Sequence, residues 1–114
     1  MNERVRQLLL EVVDACIWIE TIVAGHSIDD YCTDYRFRLQ IERLLSNAGE
    51  ALRQARARDA SVADGITDVQ LIIDMRNRLI HNYSGLDDRI VWEAATAGIP
   101  VLKAEVEALL KNAL

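Results

Sequence analysis

Between Phe37 and Ala55 the apolar residues return every three or four positions, and this period restricts the fold more than any other feature of the chain. At about 100° per residue, Phe37, Ile41, Leu44, Leu45, Ala48, Leu52 and Ala55 share one arc, with Arg36, Arg43, Asn47 and Glu50 on the opposite arc. The pattern predicts a long amphipathic helix over 35–57 whose apolar face must pack on other helices. Residues 3–24 repeat it through Val5, Leu8, Leu9, Val12, Cys16, Ile19 and Val23, and Gly25 ends that helix. Ser27 ahead of Ile28-Asp29-Asp30 reads as an N-cap followed by early acids, predicting a short helix over 28–33. Residues 58–66 are small, polar and aperiodic and read as a loop. Thr67 or Asp68 is placed to cap a third long helix reaching about Tyr83, with Gly85 as its stop. Asp87-Asp88 opens another helix that runs to Gly98, and Pro100 fits the first turn of a final one carrying Val101, Leu102, Val106, Leu109 and Leu110. No strand alternation or internal repeat interrupts this. The fold class expected is all-α: an antiparallel, four-helix-type bundle with short extra helices, as a single domain over 1–114.

Composition supports that class. A chain of 114 residues, 51% hydrophobic, can bury one core and not two. One Pro and five Gly are too few for the many turns of an all-β sandwich. No apolar run approaches the roughly 18 residues of a membrane span. Leu8-Leu9-Leu10 sits in a charged amphipathic segment and is no signal-peptide core. A cytoplasmic setting without a membrane partner is expected, with Cys16 and Cys32 as reduced thiols that lack metal-ligand spacing. There is no Gly-rich phosphate loop, Ser nucleophile motif or His/Cys metal cluster, so neither cofactor nor metal is expected. Trp18 and Trp92 read as packing residues.

The net charge of −5 argues, as an average, against a nucleic-acid binder. Its distribution argues differently. Residues 1–34 carry −5, residues 35–58 carry +4, and 59–83 and 84–114 carry −2 each; eleven of the thirteen cations are Arg. Arg is the cation suited to bidentate phosphate or carboxylate contact, and helix-face ion pairs account for many of these. The acidic total therefore excludes a broad RNA coat but leaves room for a small Arg-lined cleft.

The third long helix holds Asp74-Met75-Arg76-Asn77-Arg78-Leu79-Ile80-His81-Asn82-Tyr83. Ile72, Ile73, Met75, Leu79, Ile80 and Tyr83 form one broad apolar arc, and Arg76 falls in its middle. A guanidinium there must be paired, sit at a cleft, face another subunit or snorkel to solvent. His81 lies five residues on, about 140° around an ideal helix, so one straight helix cannot aim both at a single point. They meet if the helix end distorts, or if a second copy packs alongside in an isologous homodimer. Glu50 and Arg43 share a face of the second long helix and read as an ion pair that could flank such a cleft.

Arg76, His81 and Tyr83 reproduce an Arg-x4-His-x-Tyr motif, and here the chain resembles the HepT-like toxins of the HEPN-domain family. The likeness extends over nearly the whole chain, in the blocks WIETIVAGHSIDDY, NAGEALRQA, MRNRLIHNYSGLDDRIVWE and IPVLKAEVEALL. Ser84 is the visible departure, where a bulkier residue often follows the Tyr. The resemblance implies a helical bundle that dimerises and cleaves RNA without a metal, leaving a 2′,3′-cyclic phosphate and a 5′-hydroxyl. By position, Arg76 would hold the scissile phosphate, His81 would act as general base or acid, and Asn77 would support the cleft. It further implies the toxin of a type II-like toxin–antitoxin pair. Its antitoxin would be a minimal nucleotidyltransferase that silences it by attaching AMP to Tyr83, setting phosphates in the cleft. The alternative expectation is a non-catalytic helical partner that binds substrate for, or regulates, such a nucleotidyltransferase.

Overall fold

The computed structural model describes residues 1–81 and 86–112. Its helices are α1 (Glu3–Val23), α2 (Ile28–Thr33), α3 (Tyr35–Arg58), α4 (Val69–His81), α5 (Asp88–Glu93) and α6 (Ile99–Asn112). The all-α expectation holds: no strand occurs among the described residues. The shortest dimension is 19 Å, which is two layers of helices about 10 Å across.

The helix ends follow from local chemistry. The Asn2 side chain accepts the Val5 N–H at 2.8 Å to start α1. Gly25, at φ 78°, takes the left-handed turn that releases the chain from α1. Ser27 and Asp30 then form a reciprocal capping box at α2, and Asp34 caps α3 by accepting from the Phe37 N–H. Asp68 takes φ 56° just ahead of α4. The Thr67 hydroxyl and N–H both turn to α6, donating to the Glu105 carboxylate at 2.8 and 3.1 Å.

Two expectations about the helices are corrected. The aperiodic stretch 58–66 is not an open loop: Ala60–Gly65 winds into a 3-10 helix, with Asp59 accepting from the Ser61 N–H and Val62 buried. Nor does the helix stop at Gly98 and restart at Pro100. Asp88–Asn112 is one helical run, with a π turn over Ala94–Gly98 between α5 and α6. Pro100 has no N–H to offer the preceding turn, and the ladder widens there, so that the Ile99 N–H reaches back to Ala94.

α1 lies centrally, with α3 on one side and α6 on the other, and α4 packs on the outer side of α3. Val5, Leu8, Leu9, Val12, Cys16 and Ile19 of α1 join Ile41, Leu45 and Leu52 of α3 and Leu102 and Val106 of α6 in the core. These are the arcs that the helical period selects. Tyr31 is also fully buried; its hydroxyl donates to Glu42 at 2.8 Å, and the Arg38 guanidinium lies 4.6 Å over its ring. Arg38 goes on to pair with Glu42 and with Asp88, tying α3 to the start of α5. Trp92 packs on this group beside Tyr31 and Phe37. Trp18 does not pack: it is 55% exposed on the outer face of α1.

α4 is the least embedded long helix. Ile73 is its one buried residue among those described, and its extensive packing is with α3. Between α4 and the α5–α6 run the bundle is open, leaving an apolar groove of about 470 Å³ along Leu71, Ile72, Met75, Ile90, Val101 and Leu102.

Candidate active site

The site is built where α4 crosses α3. Gly49 sits within α3 at the crossing, and a Cβ added there would come 2.5 Å from the Cβ of Arg76 and 3.3 Å from the Ile72 carbonyl oxygen. Glycine therefore lets the Arg76 stem lie directly on α3. The next residue, Glu50, meets the end of that side chain: Arg76 Nη2 lies 2.8 Å from Glu50 Oε2. The other terminal nitrogen, Nη1, donates to the Asn77 side-chain oxygen at 2.7 Å. The Arg76 Nε–H points inward and has no partner. Arg76 is thus paired at a partly exposed position, one of the alternatives its place in the apolar arc requires.

Glu50 is itself held. Arg53 donates to both carboxylate oxygens, at 2.6 and 3.1 Å, and the Gln54 amide donates at 3.0 Å. The Arg53 guanidinium, then the Gln54 amide and Arg76, draw the Glu50 carboxyl down from an ordinary 4.5 to about 2. The expected Arg43–Glu50 pair is not what forms. Seven residues separate the two by about 10.5 Å along the helix axis, whereas Arg53 and Gln54 lie one turn away. The i, i+3 spacing of Glu50 and Arg53 was available in the sequence as a signal for this pair. The link to Arg76 was not, because it depends on how two helices cross.

His81 stands exposed at the end of α4. The helix is regular from Val69 through His81, so no distortion before His81 brings it round to Arg76. The structure therefore brings Arg76 and Asn77 together with Glu50, and sets His81 about 140° away around the same helix. The remaining motif residue, Tyr83, lies outside the described residues, as do Asn82, Ser84 and Gly85.

On its other side Glu50 borders a second hollow of about 360 Å³ between α1 and α3, shared with Arg4, Asp14, Trp18, Asn47 and Gln54. Trp18, read as a packing residue, is the aromatic wall of this hollow.

The family model for ribonuclease HepT-like proteins matches residues 12–109. The chain belongs to the HepT-like ribonuclease family. At 27% identity it matches the Thermococcus cleftensis protein named probable ribonuclease HepT, over 97% of this chain and the whole of that one. A protein of Caldanaerobacter subterraneus subsp. tengcongensis, provisionally named an RNase, is 28% identical over 94% of this chain and 95% of its own. A similarly named Methanocaldococcus jannaschii protein is 24% identical over 95% of this chain and 88% of its own. No solved structure matches the chain significantly. The HepT-like match spans the crossing of α3 and α4, so all the side chains around Arg76 fall within it.

Proposed function

We propose that this HepT-like protein is a metal-independent endoribonuclease working as a homodimer. The observation that carries the reading is Arg76, held in place beside Asn77 with donors to spare and followed by His81, in a chain of a ribonuclease family. In the reaction the ribose 2′-oxygen attacks the adjacent phosphorus and the bond to the 5′-oxygen breaks. A base takes the 2′ proton, an acid protonates the departing 5′-oxygen, and His81 supplies one or both functions. Arg76 meets the charge that grows on the phosphoryl oxygens. Asn77 supports the guanidinium. The products are a 2′,3′-cyclic phosphate and a 5′-hydroxyl end.

A second copy completes the site. Arg76 and His81 diverge on one straight helix, so a cleft using both draws them from two α4 helices. The open seam supports this, since Leu71, Ile90 and Val101 along it are 64, 53 and 53% exposed. Three large apolar side chains on one groove are what an isologous interface would cover.

The same reading makes the protein the toxin of a toxin–antitoxin pair, with a nucleotidyltransferase antitoxin that AMPylates Tyr83. Intact mass of protein co-expressed with a nucleotidyltransferase encoded beside it tests this. The expected result is added mass in AMP steps, absent in Tyr83→Phe; unmodified protein would remove the antitoxin part of the proposal. For the activity, RNA cleavage in EDTA by the wild type and its loss in His81→Ala are expected. Intact RNA with tight nucleotidyltransferase binding would favour the non-catalytic alternative.

A further inference from the structure

We infer that Glu50 is a positioning residue for this site: anchored by Arg53 and Gln54 on its own helix, its carboxylate holds the Arg76 guanidinium in place before substrate arrives. The inference rests on the ribonuclease reading for its kinetic consequences, and on the structure alone for its geometry.

Three N–H donors converge on the two Glu50 oxygens, two from Arg53 and one from Gln54, and the Arg76 guanidinium forms an ion pair with Oε2 at 2.8 Å. A carboxylate bound on both oxygens cannot turn without breaking charged hydrogen bonds, so it is a fixed post. Arg76 is fastened at three places. Its stem lies on Gly49, Nη2 is on Glu50 and Nη1 is on Asn77. Of the five guanidinium N–H groups, one on Nη1 goes to Asn77 and the Nε–H is buried, while Nη2 lies 2.8 Å from Glu50. Each terminal nitrogen keeps at least one hydrogen for a further acceptor. Those hydrogens remain for phosphate oxygens on a guanidinium whose position the protein sets.

A carboxylate beside a phosphate-binding Arg would ordinarily weaken it. Arg53 removes that objection. Glu50 carries one negative charge between two guanidinium groups, leaving the cluster at +1. Orientation is gained while one net positive charge remains for the substrate, which is the arrangement that favours a transition state over a loosely bound ground state.

The test is Glu50→Gln, with steady-state cleavage of an RNA oligonucleotide and the Arg76 Nε–H resonance, assigned by its absence in Arg76→Lys. With the carboxylate gone the cluster becomes more positive and less ordered. The expected result is kcat lower by about tenfold or more with KM unchanged or reduced, and an Nε–H that exchanges faster with water. Unchanged kcat overturns the inference. So does a rise in KM parallel to a loss of helical content, which would mark a purely structural pair. If Glu50→Gln does not fold, Glu50→Asp, one methylene shorter, is judged by the same criteria. If the wild type cleaves no RNA, the ribonuclease reading fails separately and the resonance decides: faster exchange in the variant supports the holding role, and unchanged exchange overturns it.

Discussion

Gly49 of α3 and Arg76 of α4 touch backbone to stem, with only 2.5 Å between the Arg76 Cβ and the place where a Gly49 side chain would begin. Gly49→Ala has two opposed effects. Ala is the better helix former by about 1 kcal/mol, while forcing a methyl against a Cβ and a backbone carbonyl costs about 1–3 kcal/mol. Neither neighbour is the free end of a flexible chain, so the clash should win. A lower urea midpoint and reduced RNA cleavage are expected; a raised midpoint would show that the helices separate at no cost.

How much of this was legible beforehand differs between residues. The buried arcs of α1 and α3 could be read because burial of one face imposes a 3.6-residue period. The N-cap at Ser27 and the stop at Gly25 were legible because they are local chemistry, set by residues within one turn. The continuity across Pro100 was not, since a π turn and a helix break use the same residues. Arg76 was conspicuous as a charge inside an apolar arc, yet its partner lies 26 positions back in the chain, at Glu50, and only the crossing of α3 and α4 unites them. Gly49 was the overlooked hint: a glycine inside a strong helical pattern usually marks close packing.

Acid should loosen the crossing. Glu50 has a folded-state pKa of about 2 against an ordinary 4.5. Its stabilisation is therefore fully present above about pH 4.5 and is lost as the pH falls from there towards 2. Glu50→Gln should be less stable than wild type at neutral pH, by up to about 1 kcal/mol for this partly exposed cluster. Chemical denaturation at several pH values should show the difference shrinking below pH 4.5. A constant difference down to pH 2 would mean that the carboxylate does not titrate as described.

α4 is tied down by a single buried side chain, Ile73. Its amides should exchange hydrogen faster than those of α1 and α3, which carry most of the core. Ile73→Ala, at about 2–5 kcal/mol for a buried Ile, should accelerate α4 exchange most of all. Hydrogen exchange with mass spectrometry reads both. Protection of α4 equal to that of α1 in the isolated chain would point to contacts beyond those on α3, and a dilution series would show whether a second copy provides them.

Leu71→Asp places a charge at a 64% exposed position on the seam, so the fold should survive with unchanged helical content. If a second copy covers the seam, sedimentation should shift from a dimer towards a single 12.9 kDa chain. A dimer of undiminished stability in Leu71→Asp would place the interface elsewhere.

The account's central claim is that two copies combine Arg76 and His81 into one RNA-cleaving site. Mixing Arg76→Ala with His81→Ala, after subunit exchange and in EDTA, tests it most directly. Each variant alone should be inactive. The mixture should regain about a quarter of wild-type cleavage, because half of the dimers are mixed and each has one of its two Arg–His pairs intact. No recovery, with mixed dimers shown to form, would contradict a site shared across the dimer.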